Sequence, residues 1–87
     1  MIVIGIDPGL ARVGYGVIAV NTQKPVAVCY GCIESGKDQR TPERLLHIYT
    51  ELTALINKYP PAHIAVEKLF FTKNITSAMS VSEARGV

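Results

Sequence analysis

Apolar residues fall along this chain in short runs set off by turn residues, and the runs follow two different periods. Met1-Ile2-Val3-Ile4-Gly5-Ile6 and His63-Ile64-Ala65-Val66 are brief, rich in β-branched residues, and each is closed by an acid, Asp7 and Glu67. Runs of this kind read as strands buried on both faces. Val13 to Val20 predicts a second strand, and the short connection through Asp7-Pro8-Gly9 implies antiparallel pairing with the first. Proline and glycine at the centre of that connection suit a tight reversal. Pro25 opens a third strand over 26–34, and a polar loop follows from Gly36 to Arg40.

A helical period takes over at Thr41. Thr41-Pro42-Glu43 offers a hydroxyl N-cap, a proline at the first helical position and an acid in the first turn. Leu45, Ile48, Tyr49, Leu52, Leu55, Ile56 and Tyr59 then recur at spacings of three and four, one apolar stripe that should cover a sheet face. Pro60-Pro61 ends the helix, and 63–67 forms a fourth strand. A loop carries Lys68 to Asn74, and a second helix begins near Thr76 and runs on to Val87. The order β-β-β-α-β-α describes an α/β protein with a mixed sheet, its fourth strand free to return beside the first. The last helix would cover a sheet with no further strand to follow. Residues 1–87 are therefore expected to be the N-terminal portion of a single, C-terminally truncated domain.

Composition narrows the class without choosing the chemistry. A hydrophobic content of 48% against 18% charged residues is globular rather than disordered. No apolar stretch approaches the roughly 20 residues that span a bilayer. The N-terminal run lacks the basic region of a secretory signal, so no membrane association and a cytoplasmic setting are expected. The net charge of +2 is unevenly spread. Residues 44–87 hold Arg44, Lys58, Lys68, Lys73 and Arg85 against Glu51, Glu67 and Glu83, whereas basic and acidic residues balance in 1–43. That bias is compatible with a polyanionic partner. Cys29 and Cys32 form one C-x-x-C without a second pair or ligand-spaced histidines, which argues against zinc. On a strand their separation puts the thiols on opposite faces, and both read as reduced structural cysteines.

The candidate chemistry lies at the strand ends. Alternation places Val3, Gly5 and Asp7 on one face of the first strand, and His63, Ala65 and Glu67 on one face of the fourth. If these strands are parallel neighbours in matching register, about 4.8 Å apart, both carboxylates emerge together at the end where open α/β sheets hold ligands. Two such acids suit Mg²⁺, which prefers oxygen ligands and keeps waters for a phosphate to displace. A pair of such metals can direct water onto a phosphodiester. The plainer reading has Asp7 capping a turn and Glu67 paired with a nearby base. Two acids ending the two most apolar strands favour the metal reading. Gly14 and Gly16 share a face of the second strand, and such glycines mark a close approach, either by a nucleic-acid backbone or by a packed helix. Phe70 and Phe71 sit in a basic loop, where an aromatic can stack on unpaired bases, although one of the two is expected in the core.

With these residues in view, the chain resembles the RuvC family of Holliday junction endonucleases. The resemblance is carried by Gly5-Ile6-Asp7-Pro8-Gly9 with Gly14-Tyr15-Gly16, and by Val66-Glu67-Lys68-Leu69-Phe70-Phe71-Thr72-Lys73-Asn74. Ser77-Ala78 and Glu83-Ala84-Arg85-Gly86-Val87 continue it. It implies a ribonuclease-H-like fold and a homodimer that makes paired nicks in four-way junction DNA with Mg²⁺ or Mn²⁺, beside a branch-migration motor. Asp7 and Glu67 match two of the family's four metal-binding acidic positions, and Phe70 matches its base-contacting aromatic. Arg12, Lys68, Lys73 and Asn74 are the further expected DNA contacts. The family's other two acids have no counterpart here, so the 87-residue chain alone is expected not to cut DNA. Two other classes stay open. One is an actin-like or sugar-kinase-like ATPase lobe holding phosphates at Asp7-Pro8-Gly9; the other is a non-catalytic junction-binding or dimerisation module.

Overall fold

In the computed structural model, residues 1–9, 11–21, 24–36, 38–67 and 85–87 are described. Four strands and one helix run in the order β1 (Ile2–Asp7), β2 (Arg12–Val20), β3 (Pro25–Glu34), α1 (Thr41–Lys58) and β4 (His63–Val66). The sheet order is β3-β2-β1-β4, with β1–β2 and β2–β3 antiparallel and β1–β4 parallel. This mixed sheet, crossed by one helix, is the expected architecture. The second helix placed near Thr76 lies outside the described residues.

The strands obey their period of two. Ile4 and Ile6 share a face with Val13 and Val17 of β2 and Ile33 of β3, and α1 lies across it. Val13, Ile33 and Ile48 form the core cluster, with Ile6 and Leu52 packed against it. Ile4, Val17 and Ile48 are at most 1% exposed, and each such buried side chain contributes about 1.5–3 kcal/mol. The sheet bends at Val17 and Ile18, where the β2–β3 register slips by one residue at a bulge.

Two local expectations need correction. The N-cap of α1 is Arg40, because the Arg44 N–H donates to the Arg40 carbonyl at 2.9 Å and draws Thr41 into the first turn. Pro42 still loses nothing there, since amides of the first turn have no intrahelical partner. The tight reversal at Gly9 stands, because a Cβ there would collide with the carbonyl oxygen of Arg12. Finally, β4 is exposed along its whole length rather than buried on both faces. It is the edge strand, and among the described residues nothing pairs with its outer side. Tyr49, expected in the inward stripe, is likewise exposed and borders an open apolar groove between α1 and β4 with Ile56, Ile64 and Val66.

Candidate metal centre at the sheet edge

The parallel pairing of β1 with β4 sets the geometry of the site. Gly5 is opposite Ala65 and Ile6 is opposite Val66. The Glu67 N–H then donates to the Ile6 carbonyl at 2.9 Å, extending the ladder one step so that Asp7 and Glu67 finish side by side. Both lie on the face away from α1 and both are exposed. The register required by the sequence argument is the one that forms.

The two carboxyls interact directly. Protonated Glu67 donates a side-chain hydrogen bond to Asp7, and this bond raises the pKa of Glu67 above its ordinary value of 4.5. The negative charge of Asp7 adds to the shift, and desolvation contributes last. Every one of these influences pushes the same way, and none of them comes from a base among the described residues. The donor set is all oxygen, doubly acidic and open to solvent, which fits a hard divalent cation. Among the described residues no group of three or more His, Cys, Asp or Glu side chains converges on one point.

Arg12 stands on the same sheet face at the same end, two residues from Gly14, the partner of Asp7. Its guanidinium meets Glu34 across the strands at 3.2 Å, both side chains well exposed. Sequence reasoning selected Arg12 but not its partner, because a cross-strand contact depends on a register that composition does not reveal. Cys29 and Cys32 are free and point to opposite faces, as expected. Lys68, Phe70, Lys73 and Asn74 lie outside the described residues.

Gly14 and Gly16 lie on β2 beside β1, with Gly14 opposite Asp7. They face away from α1, so packing against this helix does not account for them. A Cβ on Gly14 would come to 3.6 Å from the Asp7 Cβ, and one on Gly16 would meet no described atom within 4 Å. Among the described residues, nothing covers the floor beside Asp7.

Comparison with known proteins agrees with this architecture. The sequence profile of the family "Crossover junction endodeoxyribonuclease RuvC" matches residues 3–87. The RuvC of Alkaliphilus metalliredigens is 47% identical over 87 residues, covering 100% of this chain and 53% of that protein. The RuvC of Treponema denticola is 51% identical over 85 residues, or 98% of this chain and 48% of its own. The chain spans about half the length of the curated relatives it matches. Among solved structures, T. thermophilus RuvC in complex with Holliday junction substrate superposes with a TM-score of 0.89 at 30% identity, covering 99% of this chain and 53% of that one. The Thermus thermophilus RuvC structure gives a TM-score of 0.87 at 29% identity. The fold is therefore ribonuclease-H-like, as found in RuvC.

Proposed function

The chain belongs to the RuvC family of crossover junction endodeoxyribonucleases, and from that premise we propose that Asp7 and Glu67 supply half of a divalent-cation site that cuts phosphodiesters in four-way junction DNA. The observation that carries this reading is the carboxyl pair itself: two acids held together at a sheet edge, with no base among the described residues acting on Glu67. Such a pair carries a standing repulsion that a bound Mg²⁺ or Mn²⁺ relieves. When bound, the cation supplies a Lewis acid for the phosphate and a lowered pKa for an attacking water. Asp7 and Glu67 hold that charge at the C-terminal ends of two neighbouring strands, where the rigid ladder fixes their spacing. Lys68, Phe70, Lys73 and Asn74 follow Glu67 directly, and with Arg12 they are assigned to the DNA.

The working unit is a protein of full family length in which residues 1–87 form the N-terminal part of a single nuclease domain. It acts as a homodimer, because paired nicks on a two-fold junction need two sites, and it works in the cytoplasm beside a branch-migration motor. No helix among the described residues is long and apolar enough to cross a membrane. The match over residues 3–87 takes in the Glu67–Asn74 run, which has no role in an ATPase lobe. The test is cleavage of a synthetic four-way junction by the full-length protein in Mg²⁺. Asp7→Asn should abolish nicking while leaving junction binding intact. Binding without any cleavage by the parent protein would favour the non-catalytic module instead. The 87-residue chain by itself should not nick; Asp7-dependent nicking by it would overturn the view that the cage is incomplete.

A further inference from the structure

We draw no further inference here: the strongest candidate, the apolar groove between α1 and β4 bordered by Tyr49, Ile56, Ile64 and Val66, is an unpartnered face, and nothing among the described residues shows what covers it.

Discussion

On the α1 side of the sheet, Ile4, Val13, Val17, Ile33 and Ile48 are almost fully buried, whereas on the other side Asp7, Tyr30 and Glu67 are exposed and the described residues leave Gly14 and Gly16 uncovered. The same strands build both faces, and a one-residue step along β1 passes from Ile6 in the packed layer to Asp7 at the acid pair. Stability and chemistry are thus separated by the pleat rather than by distance. Substitutions on the helix side should act on folding, and substitutions on the acid side should act on DNA and metal.

The sharpest break in that division comes from the acids. Glu67→Gln, like Asp7→Asn, should lower junction cleavage by the full-length protein by at least about a hundredfold, since even outer-shell changes at metal sites cost 10–100-fold. Melting temperature should not fall with it, and a variant that lost activity by unfolding would blur the two faces. On the helix side the reverse holds. Ile48→Ala should cost about 2–5 kcal/mol in urea unfolding of the chain, because Ile48 is 1% exposed at the centre of the core cluster.

A smaller effect tests packing at the glycines. Gly31 lies on the α1 side, where an added Cβ would sit 2.8 Å from the Tyr15 Oη and 3.1 Å from its Cζ. Gly31→Ala should therefore cost about 1–3 kcal/mol, a loss that Gly16→Val on the opposite face should not show. The two glycines are alike in sequence and differ only in the face they occupy.

The gentlest test uses pH. Glu67 holds its proton more tightly in the folded chain than in the unfolded one, mainly through its hydrogen bond to Asp7. The folded state then binds more protons, so stability falls as pH rises from 4.5 through the raised value and levels off above it. Glu67→Gln should remove that decline, and unfolding curves at several pH values would show a flatter profile. In the parent chain, Mg²⁺ at neutral pH should restore part of what deprotonation removes.

Much of this division was legible in the residues themselves. The period of two along 2–7 put Asp7 on a face with Val3 and Gly5, that along 63–67 put Glu67 on a face with His63 and Ala65, and the stripe from Leu45 to Ile56 marked the covering helix. Register was not legible, because the alternation within one strand carries no information about its neighbour. The Gly5–Ala65 pairing is decided by the sheet as a whole, and with it the meeting of the two acids. The exposure of β4 was also hidden: apolar residues record a need for burial, not the partner that meets it. The Arg12–Glu34 pair was invisible for the same reason, since the two lie far apart in sequence and the β2–β3 ladder joins them.

The convergence of Asp7 and Glu67 on one cation is most directly measured by titrating Mn²⁺ into the isotopically labelled chain and following paramagnetic broadening by NMR. Resonances of Ile6 and Asp7 should broaden together with those of Val66 and Glu67 at the same low Mn²⁺ ratio, and Asp7→Asn should weaken both sets. Broadening confined to one strand end, or centred elsewhere on the chain, would contradict a shared site.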